Sequence, residues 1–413
     1  MIEKKARRGA GSYRKKGKNS YQLRYRGKNK TITAQNDTQA ERALAAFISD
    51  VDKGKFKPAT KMTVKQLSES FLRDNPDLSE ATKENYRIHL DKRILPVFGD
   101  MKIDKIKPAH VYDFMNNLKE DGIREDGKQG GLSPATIQKN LYILSSMLSF
   151  AVDLKELEEN PCDRVKPPKV QKRKKAGIER DLAREVLKAL KEESLKYKCI
   201  TLLAATTGER RGEILGIGDS TLDLDNLEID VSRAIRHTKG RIFVKEPKTE
   251  SGIRRIPFPA NLVPLLQEMI NARNKKREAC GDLWVDMIET EDGELIKNDL
   301  LFTQWNGKPM HPNSINTWWT KFREDNNLPI DFKFHGLRHT NITQLLKAGV
   351  DLGTVSNNSG HSTKTMTLYY DGLDAKALRE VASKADTIFD LENIIPDLLG
   401  KPVNIYRNKK KVN

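Results

Sequence analysis

The sequence is poor in cysteine: Cys162, Cys199 and Cys280 are the only three in 413 residues, and they lie far apart. That argues against a disulfide framework and against a zinc site, and it suits a reducing cytoplasm. There is no apolar run of the ~20 residues that a membrane-spanning helix needs, so no membrane partner is expected. The basic start, MIEKKARRGAGSYRKK, has no apolar segment behind it and is not read as a secretion signal. No internal repeat and no glycine-rich nucleotide loop occur. Acidic residues are in the minority, 57 against 74 Lys and Arg, for a formal net charge of +17. Such a surplus calls for an anionic partner.

The surplus is concentrated. Residues 1–60 carry 16 Lys/Arg against 5 Asp/Glu, while KPPKVQKRKK (166–175) and KPVNIYRNKKKVN (401–413) contain six and five cations and no acidic residue. The remainder of the chain is slightly negative. Cationic segments of this kind bind phosphate backbones by releasing counterions, without reading sequence. A solubilising tail is the plainer reading of any one of them. Three such segments around balanced domains, with no amphipathic anchor helix, favour nucleic acid over lipid.

Hydrophobic periodicity gives a multidomain α+β fold. In SYQLRYR, Tyr21, Leu23 and Tyr25 alternate with Gln22, Arg24 and Arg26, which predicts a strand with one basic face. Three short strands and a helix opened by a Thr38/Glu41 capping box make a small first module, residues 1–58. Residues 62–160 read as a four-helix bundle, with a Thr63/Gln66 capping box and with Ser133 and Pro134 opening the longest helix. A basic linker follows over 161–175. Residues 176–390 are mixed and mainly helical, with a small antiparallel sheet expected from LEIDVSRAI, RIFVKEP and GIRRIPF. Residues 391–413 remain as an apolar segment and basic tail.

The third module also carries a set of polar residues. Arg210 follows a helix-ending glycine in TTGERRGEILGI, and Lys248 sits at an expected hairpin tip. HGLRH puts His335 and Arg338 on one face of a helix turn. His361 precedes Tyr370 by nine residues. Singly, each has an ordinary explanation: a solvated helix face, a structural turn, a core tyrosine, or an Arg210–Glu213 surface pair. Together they suit phosphodiester transfer without metal. Guanidinium forks match the charge that grows on non-bridging oxygens. A lysine can protonate the leaving oxygen, and a tyrosine hydroxyl, with an ordinary pKa of about 10, needs cations and a base to ionise.

In order and spacing these motifs resemble the tyrosine recombinases, and the domain layout is similar to the integrases of temperate phages and conjugative transposons. The resemblance implies that Arg210 and Arg338 clamp the scissile phosphate, with Glu213 supporting Arg210. It implies Lys248 as general acid, His335 as an acid/base group, His361 as a hydrogen-bond donor to the phosphate and Tyr370, ahead of Tyr369, as nucleophile. No cofactor and no metal are implied. The expected partners are double-stranded attachment-site DNA, further copies of the chain as a homo-tetramer on that DNA, and a directionality factor for excision. The expected location is the bacterial cytoplasm, at the nucleoid.

The first module is similar to arm-type DNA-binding domains and the bundle to core-binding domains. Arg14, Arg24 and Arg26 in the first module and Lys172, Arg173 and Lys174 in the linker are the side chains expected on DNA. The apolar C-terminal segment is expected to dock on a neighbouring protomer. The sequence departs from the family's pattern at Ser359, where an apolar residue is usual, in GIGDS (216–220), where an aromatic residue is usual, and in YYDG (369–372), after which a histidine is often found. The competing functions are a catalytically silent DNA-binding protein on the same scaffold and a type IB topoisomerase-like relaxing enzyme.

Overall fold

Alternation decides the first element. Tyr21, Leu23 and Tyr25 are buried in strand β2 (Ser20–Tyr25), while Arg24 points to solvent. The computed structural model describes residues 11–53, 60–170, 178, 180–246, 253–360 and 375–400. The chain divides into two compact units, Met1–Gln171 and Lys172–Asn413.

In the first unit, β2 is the centre of an antiparallel sheet between β1 (Ser12–Gly17) and β3 (Lys28–Thr33). Helix α1 (Asp37–Asp52) closes its inner face with Ala40, Phe47 and Val51. Arg14 lies opposite Gln22 and Arg24 opposite Ser12, so both arginines stand on the outer face. Arg26 does not join them. The strand ends at Tyr25, Arg26 turns through a left-handed φ of +44°, and its guanidinium pairs with Asp52 at 2.9 Å. The expected Thr38/Glu41 box is displaced as well. Asn36 is the N-cap, accepting from the Gln39 N–H at 3.0 Å, and Gln39 accepts from the Gln35 N–H at 2.9 Å. Asparagine outranks threonine as a cap, so the helix starts earlier than the Thr38 reading.

The bundle opens with α2 (Val64–Asp74), whose Thr63/Gln66 capping box forms as expected. Helix α3 (Glu80–His89) runs through a π turn, Leu90–Ile94, into α4 (Leu95–Phe98). Helix α5 (Pro108–Asn117) and the long α6 (Pro134–Asp153), N-capped by Ser133, complete it. Phe71, Phe98, Phe114 and Met147 lie in its core. The bundle reaches further than residue 160. Asn160 caps a 3-10 turn, Pro161–Arg164, and Cys162 and Val165 enter the bundle core. Lys172, Arg173 and Lys174 lie outside the described residues.

The second unit is built around α8 (Leu195–Thr207), in which Cys199 to Thr207 are all buried. Helices α7 (Arg180–Lys188), α9 (Arg211–Gly216), α10 (Val263–Cys280), α11 (Pro312–Asp325), α12 (Gly336–Lys347) and α13 (Leu352–Ser359) belong to this unit, as do α14 (Ala375–Phe389) and α15 (Leu391–Leu399). Helices α9, α10, α12 and α14 pack directly on α8. Strands β4 (Leu222–Asp223), β5 (Glu228–Val231) and β8 (Arg254–Pro257) form one antiparallel sheet, and β6 (Ala234–Thr238) pairs with β7 (Arg241–Lys245). A short hairpin, β9 (Met287–Glu289) and β10 (Leu295–Lys297), is separate. Lys248 falls between β7 and β8, outside the described residues. The two described flanks pair with other strands, β7 with β6 and β8 with β5, rather than with each other.

The C-terminal apolar segment packs within its own unit. Leu391, Ile394, Ile395 and Leu398 of α15 join the core of this unit. Arg180 and Arg184 of α7 donate to the Thr387 and Ile388 carbonyls, and Lys198 donates to Leu398 O at 2.9 Å. The apolar side chains of α15 that were expected on a neighbouring protomer pack here against α7 and the turn after Pro259.

Candidate active site

Helix α8 ends at Gly208, in the left-handed conformation with φ +70°. An added Cβ there would lie 2.8 Å from Asn341 Oδ1, so both backbone and space call for glycine. The turn sends Glu209 into the core and leaves Arg210 at the N-cap of α9. Glu213 accepts twice from Arg210: from its N–H through Oε2 at 2.9 Å and from its guanidinium through Oε1 at 2.8 Å. The Arg210–Glu213 pair that sequence allowed forms, but with the Glu213 side chain only 11% exposed. The same guanidinium also donates to Gly360 O, at 2.7 Å, across the domain.

Arg338 arrives from the first turn of α12 and is 3% exposed. It donates to Gly208 O at 2.5 Å and to Ser359 O. Two guanidiniums from different helices thus meet at the end of α13. Burial, and then the charge of Arg210, push Arg338 down to about 10, yet it stays protonated at neutral pH. Ser359 and Gly208 supply the carbonyls because α13 and α8 both end in left-handed glycines, Gly360 and Gly208.

Sequence reading missed the third arginine. Arg254 and Arg255 alternate along β8: the first has a side chain 7% exposed, the second faces solvent. Arg254 donates to Glu213 Oε2 at 2.9 Å and to Asn358 O at 3.2 Å, so Glu213 bridges two arginines. Burial raises the Glu213 pKa, but Arg254 and Arg210 more than offset it and hold it below the usual carboxylate range. The period-two pattern of RRIPF was the signal that would have singled out Arg254.

Glu209 was also missed. It is 2% exposed; Oε2 accepts from the Thr207 hydroxyl at 3.0 Å, and buried Oε1 has no hydrogen-bond partner. Burial first, and then Glu213, raise it to about 7 against the pull of Arg254 and Arg338. Around it, Asn341 donates to Ala205 O and Thr206 O at 2.9 and 2.8 Å, and Asn358 to Thr207 O at 3.0 Å. These amides fasten α12 and α13 to the end of α8 and so fix the arginines.

His335 and Arg338 differ in burial, the first exposed and the second 3% exposed. His335 is the N-cap of α12, exposed, with its ring 4.9 Å from that of His339. It lines a trough of about 570 Å³ together with Arg210. Arg210, Arg338, Glu213 and His335 are therefore gathered in one place. Lys248, His361, Tyr369 and Tyr370 lie outside the described residues, although Gly360, which Arg210 holds, directly precedes His361. Among the described residues no cluster of His, Cys, Asp and Glu is placed to hold a metal, and no helix is long and apolar enough to cross a membrane. Two convergent planar guanidiniums beside an exposed imidazole can bind a phosphodiester and stabilise charge added to it.

Comparison with known proteins agrees with this geometry. Residues 178–376 match the phage integrase family, and residues 63–119 match the N-terminal SAM-like domain of phage integrases. The chain is 29% identical over 281 residues to a XerC-like tyrosine recombinase of Caldanaerobacter subterraneus, covering 65% of this chain and 67% of that one. It is 27% identical over 307 residues to the ICEBs1 integrase of Bacillus subtilis, covering 74% and 77%. Its fold matches the Tn1549 transposon integrase in complex with a circular intermediate DNA, with TM-score 0.61 at 23% identity, over 78% of this chain and 99% of the other. It also matches a lambda integrase tetramer bound to a Holliday junction, with TM-score 0.51 at 16% identity, over 88% and 98%.

Proposed function

This chain belongs to the phage integrase family of tyrosine recombinases, and on that premise we propose that it integrates and excises a mobile element through a 3′-phosphotyrosine intermediate on Tyr370. The observation that carries the reading is the convergence of Arg210 and Arg338 on the end of α13, immediately before His361.

In the proposed reaction the Tyr370 oxygen attacks the scissile phosphorus in line, forming the O–P bond as the bond to the 5′ oxygen breaks. Arg210 and Arg338 bind the non-bridging oxygens and stabilise the charge that develops there. Lys248 delivers the proton to the leaving 5′ oxygen, and His335 moves the tyrosine proton. The phosphotyrosine conserves the phosphodiester's energy, so a 5′ hydroxyl from a second duplex can reverse the step without ATP. Glu213 holds Arg210 and Arg254 in register and touches no substrate. The outer face of the first sheet, with Arg14 and Arg24, contacts a separate DNA site. Strand exchange proceeds in a homo-tetramer on attachment-site DNA, a reading supported by the DNA-bound integrases of the same fold.

The test uses DNA bordering the gene, nicked to trap a cleaved strand, with chelator present and ATP absent. A denaturant-resistant protein–DNA adduct is expected with the wild type and none with Tyr370→Phe. An adduct that survives in Tyr370→Phe would transfer the role to Tyr369. Tight binding with no adduct from the wild type would leave a silent DNA-binding protein. Products that are relaxed but never recombinant would leave a topoisomerase-like enzyme.

A further inference from the structure

The trough beside Arg210 extends well past the arginine clamp. Arg211, Arg236 and Lys333 line it together with Arg210 and His335, and none of its described lining residues is acidic. Close packing builds this arrangement. An added Cβ at Gly212 would lie 2.8 Å from Ile235 O, and one at Gly216 would lie 2.7 Å from Arg233 O. The two glycines let β6 press onto α9, and that contact sets Arg236 of the strand against Arg211 of the helix.

Arg211 is half-buried and has no carboxylate against it among the described residues. Burial and then the charge of Arg236 lower its pKa. His311, whose ring lies 4.3 Å from that of His237, is lowered by burial, by His237 and by Arg211. Arg210, by contrast, has Glu213, and Arg254 has the same carboxylate. Cations crowded along one trough, with no counter-charge beside them among the described residues, favour a bound anion.

We propose that Arg211 and Arg236 form a second phosphate subsite, continuous with the arginine clamp, which holds a non-reacting phosphodiester next to the scissile one. It rests on the recombinase reading and deepens it. The subsite sets the register of the strand, so that the scissile phosphate, and not its neighbour, meets Arg210 and Arg338. Arg211 and Arg236 are positioning residues in this role.

The experiment places single neutral methylphosphonates at each phosphate flanking the scissile one in the nicked duplex described above. Adduct rates are then measured for the full-length wild type and for Arg211→Gln/Arg236→Gln. With the wild type, one flanking position is expected to cost about ten- to a hundredfold, as loss of a charge-assisted contact does. The double variant should lose a similar factor on unmodified DNA and nothing more at that one position. Losses that multiply at every position, or a wild type indifferent to all flanking positions, would overturn the subsite. If the wild type forms no adduct on any DNA, the recombinase reading fails by itself. The subsite is then judged by the salt dependence of binding to the same duplex, where the double variant should lower the slope by about one per lost phosphate. An unchanged slope would refute it.

Discussion

Glu209 offers the sharpest test of how the arginine clamp is balanced. Its carboxyl is buried, one oxygen has no partner, and its pKa stands at about 7 against an ordinary 4.5. The folded protein therefore holds this proton more tightly than the unfolded chain does. The stability tied to it is complete below the unfolded value and is lost as pH rises towards 7. At ~1.4 kcal/mol per pH unit, the loss between pH 5 and pH 8 comes to about 3 kcal/mol. Glu209→Met removes the carboxyl at similar volume and leaves the Thr207 hydroxyl its bond to Leu203 O, at 2.7 Å. The measurement is urea unfolding of both proteins at pH 5 and pH 8, followed by tryptophan fluorescence. All four tryptophans, Trp284, Trp305, Trp318 and Trp319, lie in the second unit, so the signal reports the domain in question. The stability difference should shift towards the variant by about 3 kcal/mol between the two pH values. A difference that stays flat would mean that Glu209 is ionised throughout, with Arg254 and Arg338 outweighing its burial, and the argument from desolvation would fail.

Further expectations follow from the same geometry. Arg338→Lys keeps the charge but cannot reach Gly208 O, Ser359 O and a phosphate together; the rate of adduct formation should fall by about 10²–10³, with the fold intact by circular dichroism. Gly208→Ala should cost at least about 1–3 kcal/mol in urea unfolding, since the residue is left-handed and the added carbon meets Asn341. In the first unit, Arg14→Ala with Arg24→Ala should lower the salt slope of DNA binding by about one per lost phosphate contact. Arg26→Ala should leave that slope alone and cost at most about 1 kcal/mol, because its partner is Asp52 at the surface.

Much of this fold is written in local patterns. The Thr63/Gln66 box, Ser133 with Pro134, and the alternation of Tyr21, Leu23 and Tyr25 each depend on residues within a few positions, and each forms as read. What escaped reading depends on distant neighbours. Arg26 looks like the next step of an alternating strand until Asp52 arrives from the far end of α1. The Asn160–Val165 stretch reads as linker from its prolines, but Cys162 and Val165 fill space left by the bundle. At the site, Arg210, Glu213, His335 and Arg338 were legible as a constellation. Arg254 and Glu209 were not, because their importance comes from what stands beside them: Glu213 for one, and the enclosed turn under Arg338 for the other.

The way the catalytic unit closes has a consequence for its birth on the ribosome. Helix α7 opens the described part of this unit, yet its arginines hold the carbonyls of Thr387 and Ile388, and α15 supplies four side chains to the common core. The first unit has its own cores and is complete as soon as Val165 has emerged. The second has to wait for residues near 400. Synthesis therefore completes the first unit well before the second, and the arginine clamp is the last part of the chain to assemble.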